Sequence, residues 1–162
     1  MPQIGPFLSD LSDSQPGRKD TRFMEISRRT DYGVRVIIDL ATLPLDGRTS
    51  THEIADRQKI PGPFLAKIIS QLSLSGLVST YRGSGGGVSL ARPASEISLL
   101  HVIEALEGPI QLNRCTIEPG ACPRDEHCPV HQVWAKAQTD LTDLLSGTTF
   151  DDLAEAAQLA RH

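Results

Sequence analysis

From residue 26 onward, apolar positions recur with helical spacing, and short glycine- and proline-bearing stretches interrupt them. Val34, Ile37, Ile38 and Ala41 fall on one face of a first helix, which Ser27 or Thr30 caps and Pro44, Asp46 and Gly47 end. Ser50-Thr-His-Glu53 has capping-box spacing, so a short helix follows to about Gln58 and buries Ile54 and Ala55. Ile60-Pro61-Gly62-Pro63 is a tight turn, and Pro63 opens a third helix, where its missing N–H would be an orphan in any case. In that helix Leu65, Ile68, Ile69 and Leu72 face inward, Ala66, Lys67, Ser70 and Gln71 face outward, and Gly76 stops it. Val78–Arg82 and Val88–Ala91 alternate with a period of two around a glycine tip at 83–87, the pattern of a hairpin. A helix over 98–107 ends at Gly108-Pro109, with His101 read as a partly buried structural residue. Val130, Trp134, Ala137, Leu141 and Leu144 then step by four, three, four and three along a helix of about 17 residues that Gly147 ends, and Thr149 caps a last short helix.

The predicted fold is mainly α with a small β-hairpin. Two helices joined by a short turn, the second with a small, polar and basic outer face, follow helix-turn-helix grammar. A generic three-helix core would share that periodicity; the hairpin directly afterwards makes the unit a winged helix-turn-helix. The glycine run lacks the lysine and Ser/Thr of a phosphate-binding P-loop, and no helix opens after it. The expected division is a disordered extension over 1–23, a winged unit over 24–93, and a cysteine loop with dimerisation helices over 94–162. The seam Val130, Trp134, Ala137, Leu141, Leu144 is a narrow apolar stripe on a long helix. Folding back on its own chain would cover it, but a symmetric homodimer is the stronger reading, because palindromic DNA calls for two heads.

Charge sharpens this division. The 162-residue chain carries a formal net charge of −4, but its halves differ. Residues 24–93 hold nine Lys/Arg against six Asp/Glu, and residues 94–162 hold four against eleven. A basic half suits a polyanion such as double-stranded DNA. There Lys67, Ser70 and Gln71 are placed to read base edges, while Arg28, Arg29, Arg82 and the wing residues Gly83, Ser84, Gly85 and Gly86 hold phosphates. No apolar run reaches membrane-spanning length and no signal pattern opens the chain, so a cytoplasmic protein is expected. No paired carboxylates or nucleophile–base arrangement stands out, so enzymatic catalysis has little support.

All three cysteines lie in one stretch: Cys115, Cys122 and Cys128, with His131 shortly after. Pro119, Gly120, Pro123 and Pro129 exclude a regular element there. An odd number of cysteines and a cytoplasmic setting argue against disulfides. Three thiolates and an imidazole suit zinc or an iron–sulfur cluster. The spacing is longer than the C-x2-C knuckles of zinc fingers, which favours iron–sulfur over a structural Cys3His zinc site.

Together the stretches Ile26-Ser27-Arg28-Arg29-Thr30-Asp31-Tyr32-Gly33-Val34-Arg35, Glu53-Ile54-Ala55, Ile60-Pro61, Leu65-Ala66-Lys67-Ile68-Ile69, Gly76-Leu77-Val78, Arg82-Gly83-Ser84-Gly85-Gly86-Gly87, the three cysteines and Thr148-Thr149-Phe150-Asp151-Asp152-Leu153 carry a resemblance. Over about residues 24–157 the chain resembles the iron–sulfur-responsive winged-helix regulators, the IscR/NsrR/RirA family. The resemblance implies a homodimeric transcriptional regulator whose cluster state sets DNA affinity, with Cys115, Cys122 and Cys128 as ligands. For the fourth ligand it offers His131, matching the histidine of IscR-like members, or Asp31, matching the aspartate that NsrR-like members supply from the partner subunit. The first cysteine gap is one residue longer than in IscR. His131 is preferred for its reach, and goes with a 2Fe–2S cluster; Asp31 would go with 4Fe–4S. An electron-transfer iron–sulfur protein and a zinc-stabilised, non-sensing DNA-binding protein are the alternatives.

Overall fold

The computed structural model describes residues 26–160 apart from Leu45, Ile117, Pro119, Ala121, Asp125 and Glu126. The extension expected over 1–23 lies outside the described residues. The elements run α1 (Arg28–Ala41), α2 (Thr51–Gln58), α3 (Gly62–Leu74), β1 (Val78–Tyr81), β2 (Gly87–Leu90), α4 (Leu99–Glu107), α5 (His131–Gly147) and α6 (Phe150–Leu159), with 3-10 turns at Ala94–Glu96 and Arg114–Thr116.

Local chemistry sets most boundaries. The Ser27 hydroxyl accepts from the Thr30 N–H and opens α1. Ser50 and Glu53 form a full capping box on α2, with Ser50 N–H donating to Glu53 Oε2 at 2.8 Å and Glu53 N–H to Ser50 Oγ at 3.2 Å. Lys59 turns the chain in the left-handed region (φ 54°), so that Ile60 N–H reaches Ala55 O. Pro63 sits in the first turn of α3. Gly76 (φ 69°) ends that helix, with Leu77 N–H closing onto Leu72 O at 2.9 Å.

α1 is the central helix: it touches α2, α3, α4, α6 and β2. Its burial therefore departs from the one-face expectation. Val36, Ile37 and Leu40 are buried together with Thr30, Gly33 and Asp39, while Val34, Ile38 and Ala41 are only half-buried. A Cβ at Gly33 would collide with Leu106 Cδ1 on α4, so glycine is what lets those two helices close. The core joins Ile54, Leu65, Ile68, Leu72, Leu77 and Val88 to Val102 and Leu106 of α4 and Phe150 of α6. Each such side chain contributes roughly 1.5–3 kcal/mol. This core draws residues from both sides of Pro93.

β1 and β2 pair antiparallel, Val78 opposite Leu90 and Tyr81 opposite Gly87. Thr49 adds a third short rung: its N–H and C=O bond to Val88 at 3.1 and 2.8 Å, tying the wing to the start of α2. α6 is fixed to the start of α4 by Leu99 N–H to Thr148 O and Phe150 N–H to Ile97 O, both 2.9 Å. His101 is exposed rather than partly buried. It takes the third position of a capping box, its Nδ1 accepting from the Ser98 N–H at 3.0 Å.

Candidate nucleic-acid interface and metal-binding loop

α3 presents exposed Phe64, Ala66, Lys67 and Ser70 with half-buried Gln71. With Arg29 of α1 they line a shallow groove of about 560 Å3. The Arg29 guanidinium also donates to Leu106 O, so it binds the C-terminal turn of α4 as well as bordering the groove. Arg28, the preceding residue, is exposed. Among the described residues no side-chain hydrogen bond or ion pair engages Arg28, Lys67 or Arg82, which leaves these cations available to an external anion. Other cations of the basic half are spent internally: Arg57 on Asp39, and Arg35 on Asp31 at 2.7 Å and on the Tyr32 ring at 5.6 Å.

The wing tip is built from Gly83, Ser84, Gly85 and Gly86, with Arg82 exposed at its base. Gly83 has φ 96°, and a Cβ at Gly86 would stand 2.5 Å from Tyr81 O, so both glycines serve the turn itself. Gly85 has neither a positive φ nor a neighbour within 4 Å, so the wing's own packing does not require glycine there. The base of the wing is held by Arg48, stacked 3.6 Å from the Tyr81 ring centroid. The Ser89 hydroxyl, and then the charge of Arg48, lower the Tyr81 phenol from its ordinary range.

Sequence reasoning missed Phe64, which is 45 % exposed on α3 and whose ring meets Tyr32 edge-on at 6.0 Å. An aromatic at an outward helical position was the available signal. It also missed the network beneath the interface. Buried Asp39 accepts from Arg57 Nε at 3.0 Å, Arg57 Nη2 at 2.6 Å and Gln58 Nε2 at 2.9 Å. Arg57 Nη2 also donates to Thr49 Oγ1, which in turn donates to Glu53. The hydrogen bond to Asp39 raises the Arg57 pKa further. The Ser50 N–H, with the Thr49 and Ser50 hydroxyls, brings the Glu53 carboxyl down to about 2.

The cysteine loop hangs between α4 and α5. Its near end is anchored by Gln138 of α5, which accepts from Leu112 N–H and donates to Ile110 O, both 2.9 Å. Cys115 lies in the 3-10 turn, all three cysteines are half-buried, and none is in a disulfide. His131 is the first residue of α5, and its N–H donates to Cys128 O at 3.1 Å, which fixes these two residues in one turn. Asp31 lies elsewhere, in the first turn of α1, on a groove shared with Val34, Ile103, Leu141 and Leu145. Among the described residues no three Cys, His, Asp or Glu side chains converge on one metal position. The donors nonetheless fit a thiolate-bound metal or iron–sulfur group in kind: three cysteines, none in a disulfide, lie outside every α-helix and strand, with His131 shortly after the last of them at the start of α5.

No residue of α5 is buried. Val130, Trp134 and Leu144 are exposed, as is Val133, while Ala137 and Leu141 are half-buried. Among the described residues no helix is long and apolar enough to cross a membrane.

Comparison with known proteins agrees with this architecture. Residues 26–156 match the family model described as Rrf2, iron-dependent transcriptional regulator. CymR (YrzC), the global cysteine regulator of B. subtilis, superposes with a TM-score of 0.68 at 28% identity, over 83% of this chain and 98% of its own. S. aureus CymR gives 0.62 at 30% identity, over 80% and 97%. T. potens IscR gives 0.68 at 29% identity, over 86% and 92%.

Proposed function

Since the chain belongs to the Rrf2 family of transcriptional regulators, we propose that it is a homodimeric DNA-binding regulator that senses iron–sulfur or redox status through its cysteine loop. The carrying observation is the pairing of three half-buried cysteines, none in a disulfide, with a groove on α3 lined by Arg29 and by Lys67, whose ammonium has no partner among the described residues. In this reading Cys115, Cys122, Cys128 and His131 hold the group, with Asp31 as the alternative fourth donor. Histidine favours 2Fe–2S and aspartate 4Fe–4S. When bound, the cluster supplies a thiolate-ligated centre that can be oxidised or lost.

Lys67, Ser70 and Gln71 read base edges in the major groove. Arg28, Arg29, Arg82 and the backbone of Gly83, Ser84, Gly85 and Gly86 hold phosphates, with Gly85 the position where lack of a side chain serves the approach. Val130, Trp134, Ala137, Leu141 and Leu144 form the dimer seam, which pairs two heads on a palindromic operator. The protein acts in the cytoplasm and performs no catalysis.

The test is anaerobic purification with absorption and Mössbauer spectra, followed by Cys122→Ala, His131→Ala and Asp31→Ala proteins treated alike. Visible iron–sulfur bands lost in Cys122→Ala and altered in His131→Ala are expected. A colourless protein with stoichiometric zinc would replace sensing by a structural metal. Bands in a protein that shows no preference for any duplex would favour electron transfer.

A further inference from the structure

A second cavity, of about 550 Å3, lies where the end of α1, the loop to α2, strand β2 and the first turn of α6 meet. It shares no lining residue with the recognition groove, and its size falls within the usual range of small-molecule pockets. Its apolar wall is Leu40, Leu43 and Leu90, and its charged groups are Arg92, Asp46 and Asp151.

Arg92 is the unusual member. Its Nε is buried and has no hydrogen-bond partner in the protein. Elsewhere this fold matches its buried charge closely: Asp39 receives three hydrogen bonds, and Arg57 answers it through two of them. Arg92 as a whole is half-buried, and among the described residues no ion pair or side-chain hydrogen bond answers its charge, so a ligand oxygen at its guanidinium would supply the missing partner. One cation against two carboxylates gives the lining a formal charge of −1. A simple anion would meet net repulsion there, and a simple cation would leave Arg92 unmatched. A molecule carrying both charges answers both.

We propose that this cavity binds a small zwitterion of the α-amino-acid class. Its carboxylate accepts from the Arg92 guanidinium, its ammonium faces Asp46 and Asp151, and its side chain rests on Leu40, Leu43 and Leu90. Because the walls come from β2, α1 and α6, an occupant ties the base of the wing to the body of the protein. A ligand that favours one wing position would shift the population toward it.

The experiment uses the full chain without DNA. Thermal unfolding is followed with each standard amino acid in turn, and any that raises the melting temperature is measured by calorimetry beside its deaminated acid and its decarboxylated amine. At least one amino acid is expected to bind, with both analogues weaker by about tenfold or more, since each loses a charge-assisted partner. Arg92→Gln should abolish the effect and Asp151→Asn should weaken it, while Lys67→Ala should leave it intact. Asp151 is exposed, so that variant keeps the test sound if Arg92→Gln does not fold. No binding by any amino acid, an acid analogue binding as well as its parent, or undiminished binding in Asp151→Asn would each overturn the proposal.

Discussion

Arg57→Ala is expected to cost more stability than Asp39→Ala, although both remove the same ion pair. The asymmetry comes from burial: the Asp39 side chain is 4% exposed and the Arg57 side chain 43%. Without Arg57, the carboxylate stays in the core with the Gln58 amide as its remaining side-chain donor. An orphaned buried charge costs about 3–5 kcal/mol. Without Asp39, the guanidinium is already close to half in water and still donates to Thr49 Oγ1 at 3.0 Å. Three hydrogen bonds are lost, but their donors belong to exposed Arg57 and half-buried Gln58, which water can serve instead, so the net cost is about 1–3 kcal/mol. The expected gap is therefore about 2 kcal/mol. Arg57→Lys should fall between the two, because an ammonium keeps the charge but not the two-pronged geometry. Equilibrium urea unfolding measures all three, provided the slope with denaturant is unchanged between proteins. A loss in Asp39→Ala equal to or greater than that in Arg57→Ala would refute the reasoning.

The Glu53 carboxyl sits at about 2 against an ordinary 4.5. A depressed acid contributes stability that is full above the unfolded value and is lost as pH falls through the folded one. Glu53→Gln should therefore flatten the loss of thermal stability between about pH 4.5 and 2, and superimposable profiles for the two proteins would remove the capping box as its source. Leu144 is 66% exposed on α5; Leu144→Asp is expected to give monomers in sedimentation velocity if α5 is the seam, and an intact dimer would exclude that face. Arg82→Ala should lower the slope of log K against log salt by about 0.9, one phosphate contact, equally on all duplexes. Gln71→Ala should weaken the cognate site selectively, by about 1–3 kcal/mol, and equal losses on random DNA would end its base-reading role.

What was legible in the sequence is what neighbouring residues decide among themselves. Ser50 with Glu53, Pro63, Gly76 and Thr149 mark helix ends by bonding or conformation within a few positions, and the structure places the ends there. The burial of α1 was misjudged because a single apolar face presumes solvent on the other side, and α1 has neighbours nearly all round. His101 was misread because the capping-box rule looks for Glu or Gln at the third position. An imidazole Nδ1 does the same work, and from an exposed side chain. Asp39 and Arg57 stand 18 residues apart, and no local pattern announces that one will be buried and the other will reach it. Thr49 is similar: its pairing with Val88 spans the whole recognition unit. The cysteines were visible as a set, but which side chains around them meet depends on a loop that no periodicity governs.

The two candidate sites share one structural joint, the last turn of α4. On the recognition side, Leu106 O accepts from Arg29, and Glu107 Oε1 accepts from Ser27 N–H at 2.9 Å. Burial pushes the Glu107 carboxyl up, but Thr30, Ser27 and the charge of Arg29 more than offset it, so it ends below the usual range and favours the ionised form of this link. On the loop side, Gly108 breaks the helix at φ 88°, and the chain then reaches the two Gln138 hydrogen bonds before Cys115. A line of contacts is not in itself coupling; coupling needs an element with two arrangements that both sites bias. The two sides of the joint are held differently. Its α1 side is locked by a buried helix crossing at Gly33, where no side chain would fit. Its α5 side packs on α4 through half-buried residues such as Leu141 and Leu145, and no residue of α5 is fully buried. Strain that enters from the cysteine loop would therefore be taken up first by α5, the proposed dimer seam that would set the spacing of two heads, and only secondarily by the groove around Arg29.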